Sequence, residues 1–97
     1  MRLHQLNKAF YSDSIERDIR YSLSTHDKAI LIEDAVLRLI DKNDPLLNTF
    51  QKAHIDVYVL ESDIKAYGLS IKNDSITTLT DAEWVTLTSK CNQQVAW

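Results

Sequence analysis

The sequence predicts a small α/β domain of three layers, built on a mostly parallel sheet of about five strands. Short apolar runs alternate with segments of helical spacing along the whole chain. One of those runs, Ala29, Ile30, Leu31, Ile32, is apolar at every position, as a strand buried on both faces must be. Length agrees: 97 residues, 44% of them hydrophobic, suit one domain spanning 1–97, with a modest core and no room for a separate catalytic module. Domains of this size bury roughly two thirds of their unfolded surface, so a supporting partner is expected.

Arg2 to Leu6 reads as an edge or first strand. Ser12 and Asp13 offer helix-capping oxygens, with Glu16 three residues after Asp13, and Ile15, Ile19 and Leu23 share one face of the helix that follows. The all-apolar run is the candidate central strand, ending at Glu33 and Asp34. Asp34 is placed to cap a brief helix through Val36, Leu39 and Ile40. Lys42, Asn43 and Asp44 form a turn before Pro45, whose fixed φ and missing N–H suit a first helical position; Leu46, Leu47 and Phe50 give that helix its buried face.

Ile55 to Leu60 has the β-branched alternation of a third strand. Ser62 can cap a helix through Ile64, Ala66 and Tyr67, and Gly68 falls where a left-handed residue ends it. A weaker strand runs through Ile76 to Leu79. Thr80 and Glu83 then make a capping-box signature for a last helix carrying Trp84, Leu87, Thr88 and Cys91 on one face. Gln94, Val95, Ala96 and Trp97 are expected to form a short final strand.

One glycine, one proline and one cysteine exclude much. The dinucleotide fingerprint and the phosphate-cradling P-loop both need several glycines. A disulfide needs two cysteines and a structural zinc site several Cys or His ligands. Met1 to Phe10 is too polar for a signal-peptide core, and no apolar run approaches the roughly 20 residues of a membrane helix, so the expectation is a soluble, cytoplasmic protein. Eleven basic against fourteen acidic residues give a net charge of −3, the wrong sign for direct tRNA or other nucleic-acid binding.

Cys91 is the one residue equipped for nucleophilic catalysis; a small, half-buried helix residue is the plainer reading, and a persulfide carrier the functional one. His4, His26 and His54 lie in separate segments without metal-ligand spacing and read as solvated or locally hydrogen-bonded. Glu33 and Asp34, at a strand's carboxyl end, stand where α/β sheets bind ligands and could hold magnesium as in a receiver domain, with helix capping by Asp34 preferred. Phe50 and Trp84 are assigned to the core. Phe10, Tyr11 and Trp97 are the candidate interface anchors, since aromatics dominate the energetics of protein contacts. No residue pattern calls for a cofactor or a metal.

Several stretches together resemble the DsrH/TusB family of sulfur-relay proteins. They are Leu3, His4, Gln5, Leu6, Asn7, Lys8, Ala9, Phe10 at the start; Ile30 to Val36; Ile55 to Leu60 followed by Asp63, Ile64, Ala66, Gly68, Leu69; and Asp81 to Leu87 with the closing Val95, Ala96, Trp97. Ala35 stands where the family usually has glycine. The resemblance implies a DsrE-like fold and a heterohexamer with TusC-like and TusD-like partners. That complex passes persulfide sulfur to a TusE-like acceptor for 2-thiouridine formation at the tRNA wobble position. It also implies that the principal persulfide cysteine belongs to the TusD-type subunit, leaving this chain an accessory role. Some sulfur-oxidising members carry a cysteine in the first helix; here that helix reads Ile15, Glu16, Arg17, Asp18, Ile19, Arg20. A DsrEFH-like complex in sulfur oxidation is the alternative assembly, and a direct sulfurtransferase acting through Cys91 the alternative chemistry.

Overall fold

A computed structural model describes residues 1–97. Five strands, β1 (Arg2–Leu6), β2 (Lys28–Leu31), β3 (Asp56–Leu60), β4 (Ile76–Leu79) and β5 (Gln93–Ala96), form one sheet in the order β4-β3-β2-β1-β5. All four pairings are parallel. Four α-helices, α1 (Asp13–Ser22), α2 (Pro45–Lys52), α3 (Glu61–Ala66) and α4 (Asp81–Lys90), and a 3₁₀ helix (Glu33–Ile40) supply the crossovers that parallel strands require. The expected α/β class, the three layers and the five-stranded parallel sheet are all present.

The β2 run occupies the middle of the sheet, with Ala29, Ile30 and Leu31 fully buried. Successive residues point to opposite faces, so Ala29 and Leu31 join Val57 and Val59 under Ile19 of α1 and Leu46 and Phe50 of α2. Ile30, Leu3 and Leu79 face the other way, under Leu87 and Cys91 at the end of α4. The α4 core is the smaller because one helix covers that face, and Trp84 is half-buried there rather than enclosed.

β1 is not an edge strand: β5 returns to pair outside it, with His4 opposite Val95, so β1 is interior and buried residues follow one another at Leu3 and His4. The helix starts also differ in detail from expectation. Ser12, not Asp13, caps α1, and Glu16 is drawn away to Arg38 at 3.1 Å. Asp34 caps nothing. The 3₁₀ helix follows Ile32 directly, Glu33 takes a positive φ of 52°, and its N–H donates to Asp63 from α3 at 2.9 Å. A neighbouring element thus supplies the carboxylate the local sequence was expected to provide, while Asp34 accepts from the Tyr67 hydroxyl. Ser62 likewise lies inside α3, which follows Leu60 without a side-chain cap.

Other signals fall as read. Pro45 stands in the first turn of α2, where Asp44, expected only as part of the preceding turn, also supplies the cap, and Thr80 and Glu83 complete a reciprocal capping box on α4. At the end of α3, Gly68 has φ 65°, with Leu69 N–H bonded to Ile64 C=O and Gly68 N–H to Lys65 C=O, the paired bonds of a Schellman termination. No helix is long and apolar enough to cross a membrane.

Candidate functional site

The order of strands along the sheet reverses between β1 and β5, and in open α/β sheets ligands gather at the carboxyl end of such a crevice. Here that end is closed by side chains. The Tyr11 hydroxyl accepts from Asn7 N–H at 3.1 Å and lies 3.3 Å from both Asn7 Oδ1 and the Trp97 carbonyl, and Trp97 N–H bonds Gln5 C=O at 3.0 Å. Tyr11 is only 3% exposed. Its assignment as an interface anchor is therefore corrected: the β1–α1 loop must bury the ring to close the crevice. The neighbouring Phe10 is turned outward at 77% exposed, and Trp97 is half-buried against the core.

Beneath the loop lies a residue the sequence reading passed over. Arg38 sits on the inner face of the 3₁₀ helix with its side chain 2% exposed. Its Nη1 donates to Glu16 of α1 at 3.1 Å and to Asp44 at the start of α2 at 3.2 Å; its Nε donates to the Lys8 carbonyl at 3.2 Å. The guanidinium lies 5.4 Å from the centre of the Tyr11 ring. One cation thus ties three elements to the loop that presents Phe10, and the two carboxylates neutralise a charge that burial alone would not tolerate. The available signal was a single base inside the apolar run Val36, Leu37, Arg38, Leu39, Ile40.

A second buried cluster joins the strand starts to the chain's last residue. His4 is fully buried, not solvated, held between Asp27 and the Trp97 indole. Its Nε2 lies 2.9 Å from Asp27 Oδ2, and its Nδ1 accepts from the Trp97 indole N–H at 3.2 Å. Asp27 also accepts from the backbone N–H groups of Arg2 and Ser24, both at 3.1 Å, and pairs with the Arg2 guanidinium at 3.2 Å. Burial pushes the Asp27 carboxyl up, but the His4 bond, the two backbone donors and the Arg2 charge outweigh it and hold the group below its ordinary value. His26 and His54 are exposed, each at a positive-φ turn.

Cys91 caps the C-terminus of α4 and is 7% exposed. Burial pushes its thiol pKa up, against the opposing charges of Lys28 and the N-terminal ammonium. Glu33 lines an open recess of about 440 Å³ at the carboxyl ends of β2 and β3, together with Asp63, Asp81, Leu60 and Trp84. Asp34 is engaged by Tyr67, and no group of three or more His, Cys, Asp or Glu side chains is disposed to hold a metal ion.

Residues 9–94 match the family described as DsrH like protein. The chain belongs to the DsrH family. Among curated DsrH relatives, the protein TusB of Escherichia coli O81 (strain ED1a) is 34% identical over 97 residues, covering 98% of this chain and 99% of its own. TusB of Shigella boydii serotype 18 is equally similar over the same span, so this DsrH member is TusB-like along its length. The ychN protein from E. coli superposes with a TM-score of 0.74 at 14% identity, covering 99% of this chain and 97% of that one. Protein Tm0979 from Thermotoga maritima does so with a TM-score of 0.62 at 21% identity, covering 92% of each. At such identities these two likenesses establish the DsrH member's fold and nothing further.

Proposed function

We propose that this chain is an accessory, structural subunit of a heterohexameric sulfurtransferase complex, assembled with TusC-like and TusD-like subunits in the cytoplasm. In this reading residues 1–97 act as one unit. The complex hands persulfide sulfur to a TusE-like acceptor, and the sulfur ends in 2-thiouridine at the tRNA wobble position. The reading rests on similarity to TusB along the whole chain, together with one structural observation, the burial of the chain's single thiol.

Sulfane sulfur moves when a thiolate attacks the outer sulfur of a persulfide and the donor cysteine leaves as its own thiolate. Every carrier must therefore present an accessible, readily ionised thiol. Cys91 is enclosed beneath the sheet with its pKa raised, which suits packing better than relay. Phe10, exposed on a loop braced by Tyr11 and Arg38, and the half-buried Trp97, which follows β5, are assigned to the contact with partner subunits. An acidic chain in this position leaves tRNA to a later partner.

Reconstitution of the relay from separately purified subunits tests the role. Omitting the chain should abolish or strongly reduce transfer to the TusE-like acceptor, while Cys91→Ser should transfer at the parent rate and Cys91 should carry no persulfide by mass spectrometry. Full transfer without the chain, or loss of transfer in Cys91→Ser, overturns the proposal.

A further inference from the structure

The hydrogen bonds around His4 constrain its protonation state. An indole N–H can only donate, so the bond from Trp97 requires a lone pair on His4 Nδ1. The ring's single proton then lies on Nε2 and is donated to Asp27 Oδ2, 2.9 Å away. His4 is thereby the neutral Nε2–H tautomer, clamped between an acceptor on one side and a donor on the other. The two rings lie 6.2 Å apart and nearly parallel at 13°.

We propose that His4 is a proton-controlled latch on the β5 strand: neutral, it holds the Trp97 indole, and protonated, it releases it. Adding a proton to Nδ1 sets N–H against N–H along the axis of the existing bond, so the cation and the Trp97 bond cannot coexist. Three charged or titratable groups face the pair, each from a different segment. Asp27, on the loop before β2, lies 2.9 Å from His4 Nε2, and Arg2 on β1 pairs with the same carboxylate at 3.2 Å. Tyr11, from the β1–α1 loop, holds the Trp97 carbonyl and not the indole, so the backbone stays anchored while the ring is freed. In the folded chain proton uptake at Nδ1 of this fully buried ring therefore requires the indole N–H to give up its bond. The latch depends only on the chain's own geometry; that it changes the surface offered to a partner rests on the assignment of Trp97 to the interface.

Two measurements on the full-length chain test this. Long-range proton–nitrogen correlation spectra at pH 8 should show His4 Nδ1 unprotonated and Nε2 protonated; a protonated Nδ1 overturns the proposal. In a Trp84→Phe background, emission then reports Trp97 alone. It should change reversibly as pH falls from 8 to 5, with far-ultraviolet dichroism unchanged, and the change should persist in His26→Gln and His54→Gln but vanish in His4→Gln. A flat response in the parent, or an unaltered one in His4→Gln, refutes the latch. Failure of the complex to form would leave both readouts untouched, so the latch and the subunit role fail separately.

Discussion

Asp27 accepts from four donors while nearly buried, His4, two backbone N–H groups and the Arg2 guanidinium. Replacing it by Asn removes the charge that these donors complement and inserts an NH₂ among them. The expected cost of Asp27→Asn is on the order of 2–4 kcal/mol, read as a lower urea midpoint. Its pH dependence has a definite sign. The folded-state pKa lies below the ordinary 3.8, so the ionised group's contribution is complete above about pH 3.8 and is lost as pH falls through the depressed folded value. The gap between parent and variant should therefore be wide at pH 7 and close below pH 3.8. Cys91 offers a second residue-level test: burial and a raised pKa predict alkylation by iodoacetamide at pH 7.5 at least tenfold slower in the folded chain than in urea. The sequence made the Cys91 environment legible, because Leu87 and Cys91 share a helix face four residues apart. It concealed His4 and Arg38, whose burial depends on Trp97 and on α1, both far away in the chain, and no local pattern marks such a polar residue as enclosed.

Elements were legible where a local signal is also the one the fold uses. Thr80 with Glu83, Pro45 after Asp44, and Gly68 before Leu69 each set a helix end through bonds within a few residues. Thr80→Ala should lower stability by about 1 kcal/mol in urea unfolding through loss of the α4 cap. Gly68→Ala should cost about the same. At φ 65° a Cβ meets nothing within 4 Å, so the penalty comes from the left-handed backbone and not from a clash. The starts of the 3₁₀ helix and of α3 were misread for a common reason. Both follow their strands directly, at Ile32 and Leu60, and the first is satisfied by Asp63 from across the structure. Capping chemistry borrowed from another element leaves no trace in the segment it serves.

At the scale of the whole molecule, the parallel class was visible in the apolar runs but the strand order was not. β5, with Gln93, Gln94, Val95 and Ala96, has a sequence that would suit an edge beside any neighbour; its place next to β1 is decided by the long crossing of α4 over the opposite face. That placement closes the crevice where such folds bind ligands, brings the Trp97 indole to His4, and leaves Phe10 as the prominent apolar side chain of the β1–α1 loop. Phe10→Asp should accordingly leave the free energy of urea unfolding within about 0.5 kcal/mol of the parent while weakening association with the partner subunits at least tenfold, as read by analytical ultracentrifugation. The most direct test of the account is co-expression of the full chain with TusC-like and TusD-like partners, followed by gel filtration and native mass spectrometry of the eluted species. The account predicts one species containing two copies of each of the three subunits; a chain that elutes as a free monomer, apart from a complex formed by the other two, would contradict it.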